Sequence, residues 1–507
     1  MIARAPGMQM RLRLLAALLA SLVLAGCMRA GVESAPVNQR GEIETRLRAD
    51  IAVLASDALG GRKPGTPGGQ ATYEYLEKRY GEVGLVTGTN DPGSYWRMPV
   101  DLVEIHPQTS QLTLVQGRRS VVVPEADALV LTPRRRAIAA SGPGTGVPVV
   151  FVGYGDGSVL GDALAGAVAV MLAEPGRDRA RRDALFRQRA TAVVTVLPDT
   201  DALARMRRRL ARGVTQLASE EQDTLSAYIT DSALAGVIGA KRWEGLKAEA
   251  QHTDFAPLEL NLAMNIEATS ERREFSSQNV LGRIPGSVPG SGAVLLLAHW
   301  DHLGECGPPD AADRICNGAA DNASGVAMMI ELARSLKSGP PLGRDIYVLA
   351  TTAEEVGLLG ARAFAKASPV PLENIVAAFN LDMMAVAPAG SPLGFIGRGQ
   401  TPLDAVILEE AERSGRTIGD QALADSFVQR QDGWALLQQG VPTVLLSSTY
   451  GTRAILDPFT ASRYHRAGDE ADALELGGAV DDLLLHEQLI RRLADPARYS
   501  PPARPQP

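Results

Sequence analysis

Beyond residue 279 the chain alternates between continuous apolar runs and stretches whose apolar residues recur every three or four positions. The runs fall at 294–298, 346–351, 375–381 and 443–446, with the length and composition of strands buried on both faces. The periodic stretches, at 326–336, 358–367, 403–414 and 433–439, predict helices with one apolar face. Strand and helix in alternation predict an α/β fold built on a mixed, largely parallel sheet flanked by helices. Two further helical segments, 43–59 and 70–80, precede this region, separated by the turn-rich run from Gly60 to Gly68. Between 111 and 270 the texture changes, and short β-rich runs at 111–115, 120–123, 147–152, 167–172 and 192–197 are interleaved with arginine-rich helices. That region is expected to be an inserted β-rich domain, dividing the α/β domain into 41–110 and 271–495. Residues 28–40 are expected to be a polar tether, and the proline-rich end, 496–507, a disordered tail.

At 507 residues the chain has room for two or three domains, and 45% hydrophobic with 21% charged residues describes an ordinary globular protein. A net charge of −7 argues against a nucleic-acid partner. The arginine-rich stretch 177–212, with Arg181-Arg182 and Arg207-Arg208-Arg209, is expected to form solvated helix faces. Nothing in the pattern sets an oligomeric state. At the start, Arg11 and Arg13 precede the apolar run Leu14 to Leu24, which is too short to span a membrane comfortably. Residues 1–27 therefore read as an export signal. Its end, Leu24-Ala25-Gly26-Cys27, resembles a bacterial lipobox, which implies acylation of Cys27 and a lipid anchor in the membrane. Met28 in place of Asp implies, by the same resemblance, the outer membrane of a Gram-negative cell. Cys306 and Cys316 flank a short loop with two prolines. In an oxidising compartment a disulfide would close that loop and contribute roughly 2–3 kcal/mol, while free thiols or soft metal ligands are the alternatives.

Five residues in short segments after the apolar runs carry the chemistry: His299, Asp321, Glu355, Asp382 and His465. Each has an ordinary role available, as a core or loop histidine, a helix cap or a dipole-facing acid. Yet Glu354 and Glu355 are adjacent acids, and a buried unpaired Asp382 is costly, unless cations offset them. Two imidazoles and three carboxylates suit a pair of divalent ions, with zinc the best match. Asp301 lies two residues from His299, within reach of the ring nitrogen turned away from metal.

The order His-x-Asp, Asp-Asn-x-Ser-Gly, Glu-Glu, Asp and Tyr-His resembles the co-catalytic di-zinc aminopeptidases of the bacterial leucyl aminopeptidase type. That superfamily also holds glutamate carboxypeptidases and glutaminyl cyclases. The likeness covers roughly 40–110 and 275–490, and implies a zinc-exopeptidase fold and cleavage of N-terminal residues from peptides. It implies that Asp321 bridges two metals, with His299 and Asp382 completing one site and Glu355 and His465 the other. Glu354 would be the general base acting on a water shared by the metals, and Asp301 would orient His299. Val149 to Gly155 and Leu164 to Val170 look like the start of a protease-associated domain. Where many relatives carry Ser-Asp-His, this chain has Arg430-Gln431-Asp432, so substrate contacts differ. Tyr450 is a candidate oxyanion donor, and Arg430 a candidate substrate contact. A carboxypeptidase or dipeptidase on the same scaffold, which would use Arg430 and Arg453, remains open. So do a one-zinc glutaminyl cyclase and a non-catalytic binding protein.

Overall fold

The computed structural model describes residues 37–89, 96–140, 146–155, 164–211, 213–220 and 224–502. Cys27 and the export signal, most of the tether and the last five residues lie outside this set. The described chain forms two compact units, one from residues up to 98 and from 278 onward, the other from 99 to 277. The expected boundaries at 110/111 and 270/271 are displaced because both crossings run inside strands, Arg97–Gln116 and Leu258–Ile284, with no turn to mark them.

In the first unit, helix α1 (Val37–Leu54) buries Ile43, Leu47, Ile51 and Leu54, a single stripe at helical spacing. Helix α2 (Pro67–Val83) starts with the Thr66 side chain accepting from Gly69 N and Pro67 in its first turn, and ends at Gly84 in the left-handed region. The sheet follows: β1 (Leu258–Ile284, through its last residues), β2 (Ala293–His299), β3 (Asp345–Thr351), β4 (Ile375–Asn380), β5 (Gly394–Ile396) and β6 (Thr443–Ser447). Their spatial order is β5-β6-β4-β2-β3-β1. The four middle strands are parallel and the edges antiparallel. Every residue of β2 is buried, which is why it reads as an unbroken apolar run. Helices α3 (Ser324–Ser338), α4 (Leu359–Lys366) and α5 (Gly477–Leu493) cover the sheet faces, and α3 is buried along most of its length. The end of the chain departs from the expected disorder: Tyr499 is buried, and its carbonyl accepts from Arg344 Nη2 at 2.8 Å.

The second unit interleaves helices with its strands, in the arginine-rich stretches where the sequence pattern places them. Strands Val147–Gly153, Val168–Leu172, Ala192–Leu197 and Ser226–Thr230 pair in parallel, with helices Asp178–Arg187 and Thr200–Leu210 between them. Its arginines are not all solvated: Arg181 is buried and donates to the Leu172 and Gly153 carbonyls at 2.9 and 2.8 Å. Among the described residues no helix is long and apolar enough to cross a membrane.

Candidate metal centre

The parallel register sets the site. His299 of β2 pairs with Thr351 of β3, and Leu297 of β2 with Asn380 of β4. The turns carrying His299, Asp301 and His302, then Glu354 and Glu355, then Asp382, therefore leave the sheet side by side at its carboxyl edge. Asp321 comes from a tight turn, Ala319–Ala323, that leads into α3. Asn322 locks this turn to β4: its amide donates to Leu381 O at 2.9 Å and its oxygen accepts from Gly325 N and Met383 N. A Cβ on Gly325 would lie 2.2 Å from both Leu381 O and Asn322 Oδ1, so only glycine lets α3 begin so close to the strand. Ala353, Met383 and His465 all have φ between 51° and 58°, a strained region that non-glycine residues keep mainly at functional sites.

All five expected ligands converge. Asp321 turns one oxygen to each imidazole: Oδ1 lies 3.2 Å from His299 Nε2, and Oδ2 lies 3.2 Å from His465 Nε2. Asp382 Oδ1 is 3.5 Å from His299 Nε2, and Glu355 Oε2 is 3.0 Å from His465 Nε2. Two acidic triads share Asp321, one with His299 and Asp382, the other with His302 and Glu355. His299, Asp321 and Asp382 are all buried, whereas the His465 side chain is 35% exposed and closes the open side. The Tyr464 ring stacks on His465 at 3.8 Å.

Asp301 is placed differently from the expectation that its carboxylate orients His299. His299 Nδ1 meets the Asp301 backbone carbonyl at 3.2 Å, while the nearest carboxylate oxygen stands 4.0 Å away. That carboxylate accepts instead from Glu354 N at 3.1 Å. Tyr450 is buried at the end of β6 and tilted against Phe427 at 5.0 Å. Arg430 is exposed, with its guanidinium over Phe427 at 4.9 Å. Cys306 and Cys316 are joined by a disulfide, and Cys306 Sγ lies 3.5 Å from the His465 carbonyl.

Three contributors were given no role in the sequence reading. His302 donates from Nδ1 to Glu355 Oε1 at 2.6 Å, so Glu355 spends one oxygen on His302 and faces His465 with the other. Asp469 accepts from Ala320 N and Asp321 N, fixing the Asp321 turn. Asp432 is buried and accepts from Thr351 Oγ1. His302 and Asp469 sit inside the recognised segments, three residues after His299 and four after His465, and that proximity was the available signal.

Burial pushes the Glu354 carboxyl well above its usual range, with Glu355, Asp432 and Asp382 adding to the shift. Asp321 is also buried, yet the facing imidazoles of His299 and His465 hold it well below. Burial and Asp321 push Glu355 up, but His302 and His465 bring it down to about 2. Burial opposes protonation of His465, and the Asp321 and Glu355 carboxylates override it, raising the imidazole to about 10. The group is therefore an acidic pocket in need of cations. The donor spacing fits them: ligand atoms on one tetrahedral zinc sit roughly 3.3–3.6 Å apart. Asp382 Oδ1 and His465 Nε2 are buried without a well-aligned hydrogen bond among the described residues, as atoms reserved for a metal would be.

Comparison with known proteins agrees with this geometry. Residues 279–482 match the model of Peptidase family M28. Aminopeptidase YwaD of Bacillus subtilis is 34% identical over 128 residues, 24% of this chain and 26% of that protein. A probable lipoprotein aminopeptidase, LpqL of Mycobacterium tuberculosis, is 29% identical over 192 residues, 35% of this chain and 36% of its own length. These matches thus span about a quarter to a third of the curated relatives. In fold, the chain is similar to an aminopeptidase from Aneurinibacillus sp. strain AM-1, with a TM-score of 0.54 at 18% identity over 92% of this chain and 98% of that one. Residues 279–482, and with them His299, Asp321, Glu355, Asp382 and His465, are thus similar to Peptidase family M28.

Proposed function

We propose that this chain is a metal-dependent aminopeptidase holding two divalent ions, most suitably zinc, and removing N-terminal residues from peptides. One observation carries the reading: the two oxygens of Asp321 face two different imidazoles, each at 3.2 Å, as a residue shared between two cations must. His299 and Asp382 would complete one position, Glu355 and His465 the other. Two such cations acidify a water, polarise a peptide carbonyl and offset the charge of the tetrahedral intermediate. Glu354, at the rim of this group and raised by burial, accepts the proton of the attacking water and returns it to the departing amine. Asp301 holds the backbone of that base, and Tyr450, on which the Asp382, Asp321 and Glu354 charges act, would be the oxyanion donor. The printed names of YwaD and LpqL support aminopeptidase activity, and LpqL's also supports a lipid anchor at Cys27, hence export to the periplasm or outer membrane. The 99–277 unit would be a protease-associated-like accessory domain.

A second reading has one observation in its favour. A cavity of about 240 Å³ beside the centre is walled by Met383, Leu423, Phe427 and Tyr464, with Arg430 and Arg453 also lining it. Arginines there suit a substrate carboxylate, as a carboxypeptidase or dipeptidase needs. Metal analysis of the purified chain, with a screen of free and N-blocked dipeptides, tests both. Two ions per chain and hydrolysis only of peptides with a free amine are expected; cleavage of N-blocked dipeptides would replace the aminopeptidase with the second reading.

A further inference from the structure

The turn that joins α1 to α2 sends one side chain beneath the metal centre. Gly60, Gly61 and Arg62 have φ of 53°, 66° and 50°, three successive left-handed residues. Glycine adopts this readily, but Arg62 does so under strain, and the strain aims its guanidinium inward. Arg62 is 1% exposed. It donates from Nε to Trp300 O at 2.8 Å, from Nη1 to Leu54 O at 2.6 Å and to Asn317 O, and from Nη2 to Gly318 O at 2.9 Å. Among the described residues no carboxylate bonds to it, and its partners are backbone carbonyls. Trp300 lies between His299 and Asp301, and Asn317-Gly318 leads directly into the Asp321 turn. Burial works against its charge, and the carboxylates of Asp321, Asp469, Asp301 and Glu355 work to keep it.

We propose that Arg62 is a positioning residue of the metal centre, a rigid fork that fixes the His299 loop against the Asp321 loop and so sets metal affinity. The inference rests on the two-metal reading. A guanidinium is planar and grips several carbonyls at fixed angles, whereas a lysine ammonium is a single mobile point of donation. Arg62 also keeps a permanent positive charge below carboxylates that repel one another until cations arrive. A merely structural role is separable from this one, because the same unit holds a matched control. Arg344 is 3% exposed and, among the described residues, likewise grips backbone carbonyls alone, those of Ser291, Leu493 and Tyr499, none of which adjoins a proposed ligand.

The experiment compares Arg62→Lys with Arg344→Lys in the full chain. Each is stripped of metal, its thermal unfolding is followed by circular dichroism, and zinc affinity is measured by chelator competition at a temperature where it stays folded. Both variants are expected to unfold earlier, but only Arg62→Lys should bind zinc more weakly, by roughly tenfold or more. Wild-type affinity in Arg62→Lys, or an equal loss in Arg344→Lys, overturns the proposal. If stripped Arg62→Lys does not fold, zinc is titrated while refolding is followed. A free-zinc requirement at least about tenfold above that of Arg344→Lys is then expected, and an equal requirement overturns the assignment. A wild-type chain that binds no zinc would instead overturn the two-metal reading, which keeps the two failures distinct.

Discussion

The Glu354 backbone N–H donates to the Asp301 carboxylate at 3.1 Å, so the acid two residues after a proposed ligand holds the proposed base. Asp301 is fully buried, and burial raises it to about 6 despite the pull of His299. Asp301→Ala should therefore leave two metals bound while lowering kcat by roughly 10- to 100-fold, the usual scale for outer contacts of such centres. Metal analysis beside steady-state kinetics checks it. Loss of metal, with the remaining activity proportional to occupancy, would put Asp301 back behind His299.

Glu354 stands beside two of the proposed ligands but is assigned to neither half-site. Glu354→Gln keeps its size and removes its basicity. Turnover should fall by about two to four powers of ten with metal content unchanged. A variant that loses a metal would make Glu354 a ligand.

The two imidazoles at Glu355 have separable duties. His465 faces Glu355 and Asp321 with the same nitrogen, whereas His302 bonds the other Glu355 oxygen. His465→Ala should lower occupancy to about one ion per chain, because a first contact is removed. His302→Ala should retain two sites with affinity reduced roughly 10- to 100-fold. Chelator titration of both variants separates them, and the reverse order would exchange the two histidines.

Stability of the metal-free chain should fall as pH rises. His465, raised to about 10 in the folded chain, contributes stability fully present below its unfolded value of about 6.5 and lost as pH climbs through 10. Asp301 and Asp469, raised to about 6, and Asp432, to about 7, act in the same direction and lose their contribution as pH passes those values. Glu355, lowered to about 2, acts oppositely, but its contribution is lost only in acid far below this window. Melting in a chelator between about pH 5 and 9 should show a declining midpoint, and added zinc should flatten the decline as it displaces protons. A midpoint that rises with pH would contradict the assignment of charges.

Gly61 is the point where the first turn meets the disulfide-closed hairpin. A Cβ there would stand 2.6 Å from Cys316 O and 2.7 Å from Gly304 O, at a φ of 66°. Neither backbone oxygen can yield cheaply, so Gly61→Ala should destabilise by about 2 kcal/mol or more. The drop in thermal midpoint of the metal-loaded protein measures it, and an unchanged midpoint would mean that the hairpin moves aside.

Sequence pattern made the first unit legible because β2, β3, β4 and β6 are buried on both faces and so read as unbroken apolar runs. His299, Glu355 and Asp382 were legible because each ends such a run or follows it by a few residues, whereas Asp321 and His465 were legible through the motifs of the resemblance. Less visible was whatever depends on backbone rather than side-chain pattern. Arg62 holds only carbonyls, which have no signature in the amino-acid string. The Asp301 carboxylate binds a peptide N–H instead of the ring it was expected to meet. The second unit read as β-rich because Val168–Leu172 and Ala192–Leu197 are apolar throughout, while the helices between them carry so many arginines that their apolar sides are narrow. Tyr499 looked like part of a loose tail because prolines surround it, yet a distant arginine captures its carbonyl.

His465 is the last of the five proposed ligands along the chain, and it lies at the solvent side of a group whose other members come no later than Asp382. The chain up to residue 400 carries four of the five proposed ligands and one imidazole of the proposed pair, but neither Tyr464 nor His465. Loss of the chain beyond residue 400 would thus leave the second proposed cation without its imidazole, while the first kept every one of its proposed contacts.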